Sequence, residues 1–136
     1  MITELHNVYV SRELALLLKQ AGFDWECHKI YYCYHEDGDN WELEDNNKNT
    51  KRVLELDYCL LAPTLDVAQR WLREEKNLIL LIDITPSYCN GKPMGYKFVI
   101  HVSCGNHILG EWKDTYEEAQ EAGIKKALGI ILEKGE

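Results

Sequence analysis

Gly95-Tyr96-Lys97-Phe98-Val99-Ile100-His101-Val102-Ser103-Cys104 is the stretch whose reading decides the fold. Its period is two: Tyr96, Phe98, Ile100, Val102 and Cys104 share one face, while Lys97, His101 and Ser103 share the other with Val99. A strand with one core face and one largely wet face needs a second layer over the first. The flanking sequence supplies it. Upstream, Pro63 discourages helix before it and Thr64 caps a helix predicted over 65–76, with Ala68, Trp71 and Leu72 as its inner stripe and Asn77 at its end. Residues 78–85 read as an apolar strand interrupted only by Asp83, and 86–95 as a loop rich in Pro, Gly and Asn. Downstream, Gly105-Asn106 turns the chain into a third strand, 107–113, where Ile108 and Trp112 are expected to continue the inward set across Gly110. The capping box Thr115-Tyr116-Glu117-Glu118 then opens a closing helix over 116–133. That helix is expected to bury Ala119, Ala122, Gly123, Ala127, Leu128, Ile130 and Ile131, its small residues implying close approach to the sheet.

The N-terminal half is predicted to add a helix and a β-hairpin. Ser11 is a good N-cap for a helix in which Leu14, Leu17, Leu18 and Ala21 fall at i, i+3, i+4 and i+7, and Gly22 is a natural stop. Residues 27–35 are dominated by aromatic and strand-forming types, 35–40 carry turn chemistry, and Trp41-Glu42-Leu43-Glu44 returns. Residues 45–52 hold three asparagines and no apolar side chain, which reads as an exposed loop, and 53–56 as a further short strand. The expected fold is α+β: an antiparallel sheet packed on two helices as an α-β-β-β-α unit in 64–136, with an N-terminal helix and aromatic, acidic hairpin in 1–63, all in a single domain 1–136.

A chain of 136 residues with 46% hydrophobic and 28% charged residues buries a sizeable core without metals or disulfides. The net charge of −8 is unevenly placed: residues 1–63 hold 6 basic and 12 acidic side chains (−6), and the remaining 9 and 11 (−2) lie in 64–136. Such a field repels phosphate backbones and anionic lipid, so nucleic acid is a disfavoured partner and a membrane is not expected. The first seven residues lack a basic n-region and an apolar h-region, and no apolar run is long enough to span a bilayer, so the expected location is the cytoplasm. Cys27, Cys33, Cys59, Cys89 and Cys104 contain no Cys-x-x-Cys pair, as expected of reduced thiols.

Four constellations carry chemistry-bearing side chains. Cys104 with His101 and His107 resembles a thiol and its base, but alternation turns Cys104 inward and His101 outward, and no orienting acid is near in sequence; no catalytic residue is expected. Cys27, His28, Cys33 and His35 are metal-ligand types spread along one strand rather than paired across a knuckle. The acidic run 36–45 fails as a calcium loop, since from Asp37 the fifth and sixth positions are Trp41 and Glu42. No metal and no cofactor is expected. Tyr31, Tyr32, Tyr34 and Trp41 cluster on the hairpin; alternation is expected to bury about half of these rings, and the candidate protein-binding residues are drawn from Tyr32, Tyr34 and Trp41.

Two resemblances bear on origin and scaffold. Leu61-Ala62-Pro63-Thr64 leading into Ala68-Gln69-Arg70-Trp71-Leu72-Arg73-Glu74, and Thr115-Tyr116-Glu117-Glu118-Ala119 leading into Glu121-Ala122-Gly123-Ile124 and Ala127-Leu128, resemble uncharacterised small proteins encoded by phages and prophages of gut Bacteroidales. That resemblance brings no activity, cofactor or catalytic residue. The helix, three strands, helix order, with Gly95 to Val102 as its second strand and Ala119, Ala122, Ala127 and Leu128 in its last helix, also looks like a double-stranded RNA-binding domain. That family grips phosphate with lysines at the start of the last helix; here the place reads Asp114-Thr115-Tyr116-Glu117-Glu118, with Lys125 and Lys126 two turns later. The expected function is therefore that of a non-enzymatic phage or mobile-element accessory protein that binds another protein. The alternative is a nucleic-acid-associated protein on a double-stranded RNA-binding-like scaffold.

Overall fold

The computed structural model describes residues 8–34, 40–84, 88–89, 92–93, 95–102 and 105–134. His35, most of the predicted hairpin turn, Thr85, Ser103 and Cys104 lie outside them. Helices and antiparallel sheets are both present, the α+β class expected, and the chain divides into two units, Met1–Thr64 and Leu65–Lys134.

In the first unit, helix α1 (Arg12–Ala21) begins where Ser11 accepts a hydrogen bond from the Leu14 amide at 3.2 Å, a cap worth about 1 kcal/mol. It ends at Gly22, whose φ of +97° allows the Phe23 amide to reach back to the Leu18 carbonyl at 2.9 Å. Leu14, Ala15, Leu18 and Ala21 form its buried stripe. Strands β1 (Lys29–Cys33) and β2 (Trp41–Asp45) make the expected hairpin, Tyr32 facing Glu42 and Cys33 facing Trp41. Residues 53–56 are not a strand: helix α2 (Thr50–Glu55) occupies most of that place, because Asn49 caps it through the Arg52 amide at 2.8 Å while Val53 is buried. The asparagines read as loop residues are thus a cap and a brace, Asn46 donating to the Cys27 carbonyl at 2.9 Å. The third strand is instead β3 (Cys59–Leu61), fully buried and paired with β1, giving the order β2-β1-β3.

The second unit opens with α3 (Leu65–Lys76), which buries Leu65, Ala68, Trp71 and Leu72 and stops at Asn77 with φ +56°, a left-handed position that asparagine tolerates. Strand β4 (Ile79–Ile84) follows. Short strands β5 (Tyr88–Cys89) and β6 (Lys92–Pro93) pair with each other inside the segment read as loop. Strands β7 (Tyr96–His101) and β8 (His107–Leu109) complete a sheet of order β4-β7-β8. Helix α4 (Tyr116–Lys134) starts on the capping box read in the sequence: the Glu118 amide donates to Thr115 Oγ1 at 3.1 Å and the Thr115 amide to Glu118 Oε1 at 3.2 Å.

Phe98 and Ile100 are buried as the alternation requires, with Leu80 beside Ile100 on the same face. Helix α4 presses on that face at Gly123, where a Cβ would stand 2.5 Å from Leu80 Cδ1 and 2.8 Å from Phe98 Cβ. The inner stripe of α4 is rotated from the one expected: Gln120 and Ile124 are buried, whereas Ala122, Ile130 and Ile131 are only half-buried. Gln120 is kept inside by a polar chain, donating to Asp66 Oδ1 at 2.7 Å and Gln69 Oε1 at 2.8 Å, while Gln69 donates to the Leu80 carbonyl at 2.8 Å.

Trp112 departs from the expected inward set. Val99 faces Leu109 and Gly110 bonds to Phe98, but Tyr96 bridges Lys113, so Glu111 and Trp112 together oppose Lys97 in a β-bulge. The extra residue reverses the alternation, and Trp112 emerges on the outer face, 49% exposed, with Lys97 Nζ 4.7 Å from its ring centre.

Candidate functional site

The hairpin brings two of the three candidate tyrosine and tryptophan residues together and separates the third. Tyr32 and Tyr34 lie on one face of β1 with ring centres 4.8 Å apart, and Tyr58, just before β3, joins them edge-on at 5.5 Å from Tyr32. Tyr34 is 52% and Tyr58 41% exposed. Lys48 Nζ sits 5.5 Å from the Tyr32 ring centre, and Glu42 is the cross-strand neighbour of Tyr32 on this face. Trp41, paired with Cys33, points to the opposite face, where Arg12 of α1 stands 5.5 Å from its ring centre. Tyr31 is held there too, its hydroxyl donating to the Val10 carbonyl at 2.6 Å. Tyr58 escaped sequence reasoning because β3, which positions it, carries no alternation: all three of its residues are buried.

In the second unit, the outer face of the sheet is more apolar than a wet face should be. Leu81, Val99 and Leu109 form a cross-strand row, with Ile79 beside it; Val99 is buried under its neighbours, while Leu81 is 48% and Leu109 61% exposed. Between the β8 edge and α4, Phe98, Leu109, Gly110 and Ile130 line a groove of about 630 Å³ that also holds Lys113, Lys125, Lys126, Glu111 and Glu133. Its charges are mixed and do not converge on one point.

The thiols are set for inertness. Cys27, Cys33 and Cys59 are buried thiols; burial, helped by Glu26, pushes the Cys27 thiol up to about 12, and burial also raises that of Cys59. Among the described residues, no three His, Cys, Asp or Glu side chains gather around a point that would hold a metal. His35 and Cys104, members of two sequence constellations, lie outside the described residues. At the start of α4, Tyr116 is raised by burial and by Asp66 and Glu117, so this helix end presents carboxylates and a protonated phenol. No described helix is long and apolar enough to cross a membrane.

Comparison of the chain with protein-family models, with curated proteins and with solved structures finds no match.

Proposed function

We propose that this chain is a non-enzymatic accessory protein of a phage or mobile element that binds another protein in the cytoplasm of its bacterial host, with Tyr32, Tyr34 and Tyr58 as the contact surface. The observation that carries this reading is the tyrosine cluster: Tyr34 and Tyr58 each pack against Tyr32, and both are substantially exposed. Tyrosine supplies large amphipathic contact area while losing few rotamers, and rings already packed together lose fewer still. The buried, protonated thiols of Cys27 and Cys59 favour binding over nucleophilic chemistry.

Affinity capture from host lysate tests the reading with three baits: the native chain, a Tyr34→Ala/Tyr58→Ala variant, and Trp41→Ala. A partner recovered by the native chain and by Trp41→Ala, and lost from the double variant, supports it. Equal recovery on all three baits overturns it. The nucleic-acid alternative draws on the helix, three-strand, helix order of the second unit, and Asp114, Glu117 and Glu118 at the start of α4 count against it. Duplex RNA binding that weakens steeply with added salt would favour that alternative.

A further inference from the structure

We propose that His101 and His107 form a two-imidazole site for a borderline divalent transition ion, Zn²⁺, Ni²⁺ or Cu²⁺. The two residues are direct cross-strand partners on β7 and β8, the last rung of the ladder before the turn. That turn is held by the Val102 amide on the Asn106 carbonyl at 3.1 Å and the Gly105 amide on the Val102 carbonyl at 3.0 Å. Their rings stand 4.2 Å apart, centre to centre, at an interplanar angle of 75°. His101 is half-buried and His107 exposed. Neither imidazole is engaged by a hydrogen bond or ion pair with another described residue. The outer-face neighbours on this rung and the next, Ile79, Val99 and Leu109, are apolar and offer no competing charge.

Directly opposed side chains in an antiparallel pair have Cβ atoms about 5 Å apart, so two imidazole nitrogens can meet at a single ion with bonds of about 2 Å. The half-buried His101 ring is the fixed donor. The exposed His107 ring turns about its side-chain torsions from edge-on contact to bring a nitrogen alongside, a rotamer change at a solvated residue. Imidazole selects borderline ions over Mg²⁺ and Ca²⁺, which require oxygen donors. Because no third His, Cys, Asp or Glu gathers with the pair among the described residues, the ion's other positions are open to water or to a donor from another molecule.

Titration calorimetry of the metal-free full chain with ZnCl₂, NiCl₂ and MgCl₂ tests the site, alongside His101→Asn, His107→Asn and the double variant, each first checked for native circular dichroism. The native chain is expected to bind one Zn²⁺ or Ni²⁺ and no Mg²⁺. Either single variant is expected to weaken this by about tenfold or more, since losing one arm loses the chelate, and the double variant to add little. Added Ni²⁺ is also expected to broaden the imidazole NMR signals of His101 and His107 before that of His28. Single variants that bind as tightly as the native chain, or binding that survives both and disappears with Cys104→Ser or Cys89→Ser, overturn the proposal.

Discussion

Gly110 lies so close to the ring of Phe98 that a methyl group on its α-carbon would overlap three ring carbons. Gly123 meets the same residue from α4, and the two glycines together make the seat in which Phe98 is buried. Gly110→Ala is therefore expected to destabilise the second unit by about 1–3 kcal/mol through forced displacement of the ring. Gly123→Ala is expected to destabilise as well, despite the gain in helix propensity. Gly129→Ala, in the same helix but with nothing within 4 Å of the added methyl, is expected to stabilise by up to about 1 kcal/mol. Urea unfolding of the three variants checks the pattern, which requires opposite signs for Gly123 and Gly129.

Gln120 is the buried polar residue that ties α4 to α3 through Asp66 and Gln69. Replacing it with leucine removes the donor to the exposed Asp66 carboxylate and the half-buried Gln69 amide oxygen at once. Because water can reach the Asp66 carboxylate and, in part, the Gln69 oxygen, a loss of about 1 kcal/mol is expected. Because Gln69 also holds Leu80, Gln120→Leu and Gln69→Leu should be non-additive in a double-mutant cycle, whereas either combined with a substitution on α1 should add.

The Cys27 thiol gives a pH dependence with a definite sign. Its folded value is raised from 9.0 to about 12 by burial and by Glu26, so the unfolded chain releases this proton first as pH rises. The stabilising contribution is complete below pH 9 and is lost progressively between about 9 and 12. In urea melts across that range the native chain should weaken more steeply than a Cys27→Ala variant. In native buffer, Cys27 and Cys59 should react with a disulfide reagent far more slowly than after unfolding. Prompt labelling of both in the folded chain would contradict the burial described.

Trp71 and Trp112 should behave as opposites. Trp71 is 2% exposed in the helix layer, and Trp71→Ala is expected to cost about 3–5 kcal/mol. Trp112, displaced outward by the bulge, is expected to cost well under about 1 kcal/mol on truncation. Acrylamide quenching of single-tryptophan variants offers an independent check, with strong quenching at position 112 and little at 71.

The long periodic elements were legible in the sequence because their signals are local. Ser11 and Gly22 bound α1, the capping box opens α4, and Phe98 and Ile100 alternate into the core as read. What was not legible arose from interactions that sequence spacing does not encode. The bulge at Glu111 and Trp112 is one residue of slip against β7, visible only once the partner strand is placed. Helix α2 hid behind asparagines whose turn propensity serves equally for a cap, and β3 is buried on both faces and so has no alternation to read. At the candidate site, the pairing of Cys33 with Trp41 sends that ring to the face opposite Tyr32 and Tyr34, while Tyr58 enters from a strand whose partner is far away in the chain.

In β7 it is Tyr96 and Phe98 that exchange backbone bonds with the β8 side, which leaves the carbonyl of Leu80 on the outer margin of β4, where a passing extended chain would otherwise hydrogen-bond. The Gln69 amide already fills that acceptor. Strand addition at this point would first have to displace it, so one glutamine side chain blocks a backbone acceptor on the β4 edge as well as bracing the helices above it.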